Sequence, residues 1–293
     1  MGIFKLLDQL VDYHFKRNGL YKKLMVTNTY KIEYWSSDEK KPPMLLIHAF
    51  GADCKYSWFK QIAYLSQKYR LIIPNLLYFG ASIKSPASHH INDQVDALKK
   101  LLEDLNINEF ALGGASYGGV VACELANIET FKINKLFISN APLKFSLQSD
   151  WEKVIADFGV HQKSEVLVPI NHKQLYRLYR LSSANPLFMP SFVFKSIHRK
   201  MYQYNAKERR KLIDVFVDEH EKWTKKEYDF DFPILLIWGE DDKLNPLRIG
   251  IQLKEYFGEN ANLVILKNAG HLPNFDQPKS YKKALSKFLV DEK

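Results

Sequence analysis

Apolar segments of strand length recur along the chain and are separated by longer, amphipathic segments. An alternating stretch, YKIEYW, is followed by the runs MLLIH, RLIIP, FALGG and KLFIS, and later by PILLIW and NLVIL. Continuous runs rich in branched apolar residues are typical of strands buried on both faces, as in parallel sheets covered by helices. The pattern therefore predicts an α/β protein whose mostly parallel sheet lies between two layers of helices.

The alternation of strands and helices is interrupted between residues 146 and 228. This stretch has no comparable strand run, whereas LYRLYRL, FVFKSIHRKMY and RRKLIDVFVDEHEKW look helical. Because the alternation resumes afterwards, we interpret 146–228 as a helical lid inserted into one core, which consists of residues 26–145 and 229–293.

Residues 1–25 are predicted to form an N-terminal amphipathic helix with basic residues beside its apolar face. We interpret this face as packed against the core, and peripheral contact with an anionic membrane is the alternative. The face consists of Ile3, Leu6, Leu7, Leu10, Val11, His14 and Phe15.

Composition and charge exclude several classes of protein. The net charge of +9 is spread along the 293 residues and interleaved with acidic residues, so no nucleic-acid partner is expected. Asp8 interrupts the apolar run that a signal peptide needs, and no segment has transmembrane length, so a cytoplasmic protein is expected. Cys54 and Cys123 match no metal or disulfide spacing, and neither a metal nor a cofactor is expected. The sequence gives no indication of oligomeric state.

The stretch FALGGASYGGV places one serine among small residues, between a predicted strand and a predicted helix. To turn sharply with Ser116 at the apex, the backbone needs small residues two positions away on either side, and these are Gly114 and Gly118. The positive end of the helix then faces the apex and stabilises a negative charge there. A glycine-rich turn between strand and helix, with no catalytic role, is the alternative interpretation.

A serine nucleophile needs a base and a carboxylate that orients the base. His271, in NAGHLPNFDQP, follows the last predicted strand and faces the same crevice as the serine turn. The stretch WGEDDKLNP ends another strand and contains adjacent acids. We choose Asp242 as the acid that faces the histidine, with Asp241 as the alternative, because a shift of one residue in register would put Asp241 in that place. The equivalent position after KLFIS is Asn140.

The motif HAFG follows the strand MLLIH. Its His48 is predicted to shape the loop through its own hydrogen bonds. The backbone N–H groups of Phe50, in this loop, and Tyr117, next to the serine, are predicted to form an oxyanion hole.

Together the blocks LLIHAFG, PNLLYFGAS, GGASYGGV, LLIWGEDDKLNP and NAGHLPNFDQP resemble the α/β-hydrolase superfamily, and specifically its esterase and lipase-like branch with a lid. The resemblance covers roughly residues 40–140 and 230–292. It implies an eight-stranded, mostly parallel sheet, the chain order nucleophile, acid, histidine, hydrolysis without a metal and a covalent acyl-serine intermediate. The sequence departs from the family at Ala49, Asn75 and Tyr78.

The resemblance implies a hydrolase that cleaves carboxylic esters, an enzyme of the EC 3.1.1 type. Superfamily members that hydrolyse epoxides or halides have an aspartate in place of Ser116. Those that hydrolyse carbon–carbon bonds use the same triad, often with a tryptophan where this chain has Leu272, and they are the second interpretation. A receptor of the same fold with little turnover is the third.

The predicted lid is rich in Tyr, Phe, Leu and Met, which predicts an apolar cleft above Ser116. The cleft would be closed on its other side by Phe50 and Leu272, and Tyr117 is a further candidate for substrate contact. The alternative is that these side chains only attach the lid to the sheet. The cleft interpretation predicts small or single-chain esters as substrates.

Overall fold

A single sheet of nine strands runs through the part of the chain that the structure describes. The structure is a computed structural model that describes residues 3–37 and 40–290. Its strands are β1 (Tyr21–Val26), β2 (Tyr30–Ser36), β3 (Pro43–Ile47), β4 (Arg70–Pro74), β5 (Ile83–Lys84), β6 (Glu109–Ala115), β7 (Lys132–Ser139), β8 (Ile234–Gly239) and β9 (Ala261–Leu266).

Eight of these strands lie side by side in the order β1-β2-β4-β3-β6-β7-β8-β9, and the two-residue β5 pairs with β2. The neighbours from β4 to β9 are parallel, whereas β2 is antiparallel to β1, β4 and β5. The predicted α/β class and its mostly parallel eight-stranded sheet are confirmed, with the short β5 as an addition.

Helices cover both faces of this sheet. They are α1 (Ile3–Arg17), α2 (Cys54–Leu65), α3 (Ile91–Asp104), α4 (Tyr117–Ala126), α5 (Gln148–Phe158), α6 (Lys163–Leu167), α7 (His172–Ser182), α8 (Ser191–Ile197), α9 (Ala206–Asp218), α10 (His220–Thr224), α11 (Leu247–Phe257), α12 (Pro273–Asp276) and α13 (Pro278–Leu289). A π-helical turn, His198–Tyr202, continues α8, and a 3₁₀ turn, Gly258–Asn260, follows α11.

The strand β3 shows why the buried runs are apolar at every position. Its side chains alternate between the faces, because successive residues of a strand point in opposite directions. Leu45 and Ile47 pack in the layer that contains α3, α4 and α11, whereas Met44 and Leu46 pack in the layer that contains α2 and α13. Both faces exclude water, so neither set of positions tolerates a polar side chain.

The N-terminal helix packs through only part of its predicted apolar face. Phe15 is fully buried, but Leu6 is 49% exposed and Leu10 is 55% exposed. Leu7 is also exposed, although it contributes to the lining of the cavity beside Ser116. The predicted packing is therefore wrong for Leu6 and Leu10, whereas Leu7 is partly covered at the cavity. The side chain of Ile3 lies outside the described residues. Contact of α1 with a membrane stays a prediction.

The ion pairs between α1 and α2 give the physical reason for this orientation. Lys55 of α2 binds both Asp8, at 2.7 Å, and Asp12, at 2.5 Å, and these pairs hold the acidic side of α1 toward the core. The helix also ends earlier than the predicted segment 1–25, at Arg17, and residues 21–26 form β1. Residues 1–2 and 291–293 lie outside the described part of the chain.

The insertion between β7 and β8 is helical, with α5 to α10 and the π-helical turn between them. It carries no strand. Of the helices that the structure describes, none combines the length and the apolar character that are needed to cross a membrane.

Candidate active site

The turn between β6 and α4 holds Ser116 in a backbone conformation that side chains rarely adopt, with φ of 53° and ψ of −125°. The neighbouring glycines permit this turn. A Cβ on Gly114 would lie 2.4 Å from the carbonyl oxygen of Gly118, and a Cβ on Gly118 would lie 2.3 Å from that of His48. Both distances are far shorter than a carbon–oxygen contact allows, so any larger residue at either position displaces backbone.

A continuous chain of hydrogen bonds connects Ser116, His271 and Asp242. His271 Nε2 lies 2.9 Å from Ser116 Oγ, and His271 Nδ1 lies 2.9 Å from Asp242 Oδ2. The side chain of Asp242 is fully buried and that of His271 is nearly so. The three residues follow the ends of β6, β8 and β9, where parallel strands meet at one edge of the sheet.

The structure distinguishes Asp242 from its acidic neighbours. Glu240 and Asp241 are exposed, whereas Asp242 is buried. Besides facing His271, Asp242 accepts hydrogen bonds from the backbone N–H groups of Leu244, at 2.8 Å, and Asn245, at 3.0 Å. This carboxylate is held in one orientation by the turn that follows β8.

Two asparagines that the sequence did not predict as site residues complete the surroundings of the acid. The Asn140 amide donates a hydrogen bond to Asp242 Oδ2, the oxygen that also faces His271. Asn245 in turn donates to the backbone carbonyl of Asn140 at 2.7 Å. The sequence signal for Asn140 is its position directly after β7, where other members of the fold can carry the triad acid.

The loop that carries His271 is fastened by Asp276, another residue that the sequence analysis did not single out. One carboxylate oxygen of Asp276 accepts from the backbone N–H groups of Gly270, at 2.8 Å, and Ala184, at 2.9 Å. The other accepts from the hydroxyl of Ser183 at 2.5 Å. The insertion and the histidine loop are therefore joined through one half-buried carboxylate.

The loop after β3 has the hydrogen bonds predicted for His48. Its Nε2 accepts from the backbone N–H of Leu76 at 2.9 Å, and its Nδ1 lies 2.8 Å from the Ala49 carbonyl. Burial lowers the pKa of His48 to about 4, so the ring is neutral at pH 7.

The predicted oxyanion donors come from two segments that meet beside Ser116. The rings of Phe50 and Tyr117 pack edge to face, with centroids 5.8 Å apart, and both residues line the cavity that contains Ser116. Tyr117 is the first residue of α4, where a backbone N–H has no acceptor within the helix. Its N–H is therefore available to a ligand.

An apolar cavity of about 300 Å³ opens onto Ser116 and His271. The candidate contacts Phe50, Tyr117 and Leu272 all line it. The insertion contributes further apolar lining through Leu167, Leu175, Leu178, Tyr179, Met189, Phe194, Ile197, Met201, Tyr202, Ile213 and Phe216.

The aromatic and aliphatic residues of the insertion divide among three environments. Some line the cavity, and several of these, including Leu175 and Phe194, also pack together as a small core within the insertion. Others, such as Phe188 at 92% exposure, lie at the surface. Leu212, Phe216 and Trp223 pack in the same hydrophobic cluster as the sheet. The cleft and attachment interpretations therefore each describe part of this set.

A short hydrogen bond attaches the insertion to the loop after β3. The hydroxyl of Tyr202, in the π-helical turn, donates to the backbone carbonyl of Gly51 at 2.5 Å. Gly51 follows Phe50 directly, so this bond reaches the same loop that carries the candidate oxyanion donor. Burial raises the pKa of Tyr202 to about 12, so its hydroxyl stays protonated and remains a donor at neutral pH.

Comparison with known proteins gives the class of this chain. Residues 42–278 match the family model for the alpha/beta hydrolase fold. The chain belongs to this family, and the resemblance inferred from its motifs is confirmed. Within the described residues, no group of three or more His, Cys, Asp or Glu side chains is arranged to hold a metal ion.

Several relatives are similar to the chain along most of its length. Lipase 3 of Moraxella sp. (strain TA144) is 24% identical over 272 residues, which cover 91% of this chain and 84% of the lipase. Monoacylglycerol lipase abhd6-B of Xenopus laevis is 25% identical, covering 92% of this chain and 82% of that protein. Epoxide hydrolase 4 of Mus musculus is also 25% identical, with coverage of 89% and 77%.

Among solved structures, a candidate lipase from Acinetobacter baumannii AYE superimposes with a TM-score of 0.83. It is 23% identical, and the match covers 96% of this chain and 95% of that one. The similarity extends through the insertion and the core, and at this identity it shows that the fold is shared.

Proposed function

We propose that the protein is a serine hydrolase that cleaves carboxylic esters of small or single acyl chains. The observation that carries this proposal is the unbroken hydrogen-bond chain from Asp242 through His271 to Ser116, beside an apolar cavity. A nucleophile, a base and an orienting acid in this relation are the groups that acyl transfer requires.

In the proposed reaction, Ser116 Oγ attacks the ester carbonyl carbon while His271 Nε2 accepts the hydroxyl proton. His271 then donates that proton to the departing alcohol oxygen, which leaves the acyl group on Ser116. A water molecule repeats the sequence and releases the acid. Asp242 holds the imidazole through Nδ1 and stabilises its charged form.

The negative charge that develops on the carbonyl oxygen needs donors fixed in advance. In this proposal the donors are the backbone N–H groups of Phe50 and Tyr117. The N-terminal end of α4 adds its dipole at the same place, since Tyr117 is the first residue of that helix.

The division of the chain follows from the same proposal. Residues 26–145 and 229–293 form the catalytic core, residues 146–228 form a lid, and residues 1–25 are an N-terminal extension. The lid supplies most of the apolar lining of the cavity, which supports a role in substrate selection. A volume of about 300 Å³ lies at the small end of the range for ligand pockets, which supports small or single-chain esters.

The relatives support ester hydrolysis and name one competing reaction. Two of the relatives described above are lipases by name, Lipase 3 and monoacylglycerol lipase abhd6-B. The second name is consistent with a single-chain ester as substrate. The epoxide hydrolase relative points to another chemistry, but Ser116 occupies the position at which superfamily epoxide hydrolases have an aspartate. We therefore rank carboxylic esters above epoxides.

Labelling with a fluorophosphonate tests the proposed nucleophile. We expect the purified protein to form a covalent adduct at neutral pH, located by peptide mass spectrometry on Ser116. The Ser116→Ala variant should not be labelled, whereas Ser149→Ala, which removes an exposed hydroxyl outside the cavity, should be labelled normally. Absence of the adduct from a folded wild-type protein would refute the proposal.

Turnover separates a hydrolase from a receptor of the same fold. We expect p-nitrophenyl butyrate to be hydrolysed by the wild-type protein, with the rate lost in Ser116→Ala. Equal, near-zero rates in both proteins, together with retained ligand binding, would instead identify a binding protein.

A further inference from the structure

The cavity contains one cationic side chain that the proposed mechanism does not use. Lys163, at the start of α6, lines the same cavity as Ser116 although the lysine is only 8% exposed. Most of the other residues in the lining are apolar. A buried ammonium in such surroundings is costly unless an anion or strong acceptors compensate it.

The groups around Lys163 provide little compensation. Its Nζ lies 3.8 Å from the ring centroid of Trp151 and 5.7 Å from that of Phe216, so the ammonium rests against aromatic faces. Among the described residues, no carboxylate forms an ion pair with it and no oxygen accepts a hydrogen bond from it. Aromatic faces attract a cation weakly compared with a carboxylate.

In the described part of the chain, the two titratable groups that interact electrostatically with Lys163 are Asp150 and His220, and both already have hydrogen-bond partners. Asp150 accepts from Arg248 and from the backbone N–H of Leu147, at 2.8 Å, and so it does not neutralise the lysine. The ring of His220 lies 2.9 Å from the Ser146 carbonyl.

Burial is the largest influence on the pKa values of Lys163 and His220. It lowers the pKa of Lys163 to about 7, against the opposing effect of Asp150. It also lowers the pKa of His220, and the charge of Lys163 acts in the same direction. Near pH 7 the neutral amine and the ammonium of Lys163 are therefore both populated. The ammonium form lacks an anionic partner among the described residues, and a bound anion would supply one.

We propose that Lys163 binds a carboxylate carried by the substrate, so that the preferred ester is a monoester with a free acid group. This inference rests on the proposed function of Ser116 and names the substrate class for that site. A carboxylate matches the single positive charge, whereas a phosphate dianion would retain one uncompensated charge in an apolar cavity. Lys163 is then a residue that determines specificity, and it takes no part in bond cleavage.

Paired substrates test the proposal. In the first pair, the p-nitrophenyl monoester of adipic acid is compared with p-nitrophenyl hexanoate, which has the same chain length without the acid. In the second pair, 4-carboxyphenyl acetate is compared with phenyl acetate, which moves the acid to the departing group. We expect the wild-type protein to favour the acidic member of one pair by roughly 10- to 100-fold in kcat/KM, the range for a hydrogen bond to a charged group.

Lys163→Met is the informative variant, because it keeps much of the length of the side chain and its packing on Trp151 but removes the charge. The preference should disappear, through loss of kcat/KM for the acidic ester and little change for the neutral one. Lys153→Met is the matched control: Lys153 is exposed on α5 and does not line the cavity, so the same change in net charge should leave the preference intact. An equal ratio in wild type and Lys163→Met would overturn the proposal.

Calorimetric binding of hexanoate, 1-hexanol and hexyl phosphate keeps the two proposals separate. Failure of ester hydrolysis with all substrates would refute the proposed function, yet hexanoate should still bind the wild-type protein at least roughly tenfold more tightly than Lys163→Met. Hexanol should bind both proteins alike. Equal binding of hexanoate to both proteins would overturn the role of Lys163, and tighter binding of hexyl phosphate would overturn the assignment to a carboxylate.

Discussion

The Asn140 amide donates a hydrogen bond to the Asp242 carboxylate, at the oxygen that also faces His271. Asn140 has a φ of 49°, a left-handed conformation that asparagine tolerates better than most residues. Asparagine suits this position for two reasons: its backbone accepts the left-handed conformation, and its side chain supplies the donor to Asp242. An acid at the end of one strand is oriented by an amide at the end of the next.

Removal of this amide should lower turnover without changing the fold. Asn140→Gly retains the left-handed backbone but loses the donor, and we expect kcat to fall roughly 10- to 100-fold, as for loss of a hydrogen bond to a charged group. KM for p-nitrophenyl butyrate should change little, since Asn140 does not line the cavity. A loss confined to KM would contradict a role in orienting Asp242.

Replacement of Asp242 should abolish most of the activity, whereas replacement of the adjacent Asp241 should have little effect. Asp242→Asn should reduce kcat/KM by orders of magnitude, roughly 10⁴ where the same change was made in another triad enzyme. Asp241→Asn should leave it within a factor of about two, since an exposed carboxylate outside the site has little influence. If Asp241→Asn were the damaging change, the assignment of the acid would be wrong by one residue.

Alanine substitutions at two glycine positions should destabilise the protein by different amounts, one through steric clash and the other through backbone strain. Gly118→Ala places a Cβ against the His48 carbonyl and should lower the free energy of unfolding by more than about 3 kcal/mol or prevent folding. Gly159 has a positive φ, of 63°, but a Cβ added there would meet no other atom within 4 Å, so Gly159→Ala should cost only about 1–2 kcal/mol. Chemical denaturation of both variants provides the comparison, and equal losses would contradict it.

The stability of the protein should depend on pH through Lys163. Its pKa of about 7 in the folded protein lies below the ordinary lysine value, so between these values the unfolded chain binds the extra proton. Stability therefore rises with pH across that range. Below pH 7 the cost of the buried ammonium is fully present, and Lys163→Met should be more stable than wild type by roughly 2–4 kcal/mol.

Denaturation of both proteins between pH 7 and 10 measures this effect, and their difference should shrink steadily as pH rises. The lowered pKa of His220 keeps that residue neutral throughout the range, so it does not obscure the result. A difference that stays constant would show that Lys163 keeps its proton in the folded protein.

Chain length should reveal the shape of the cavity. Each methylene that is buried in apolar lining contributes up to about 0.8 kcal/mol, so kcat/KM for neutral p-nitrophenyl esters should increase from acetate to butyrate and hexanoate. It should then fall toward palmitate, because the cavity measures only about 300 Å³. A steady fall from acetate onward would mean that the cavity does not receive the acyl chain.

The sequence predicted the features that depend on local chemistry and chain order. The turn at Ser116 needs small neighbours, and the structure shows why: a Cβ on Gly114 would clash with the backbone of Gly118. The buried strands need apolar residues at every position, because both faces of β3 pack against helices. The turn after β8 contains three consecutive acids, and only three-dimensional folding distinguishes the buried Asp242 from its exposed neighbours.

Other features depend on contacts between distant segments, which periodicity does not record. The orientation of α1 depends on ion pairs with Lys55, and these pairs leave Leu6 and Leu10 exposed. β1 has an exposed face and pairs only with β2 among the described strands, so its sequence, YKKLMV, lacks the apolar run that marks the inner strands. Lys163 is one lysine among many until the fold encloses it.

The bond between Tyr202 and Gly51 connects the insertion to the loop that carries Phe50, a proposed oxyanion donor. Any displacement of the insertion that separates Tyr202 from Gly51 also removes one of the hydrogen bonds that hold the loop with Phe50. In the proposed reaction, a ligand too bulky for the closed cavity would then gain room by loosening the loop that carries one of the proposed oxyanion donors. A bulky substrate would thus react more slowly in the chemical step, in addition to binding less tightly.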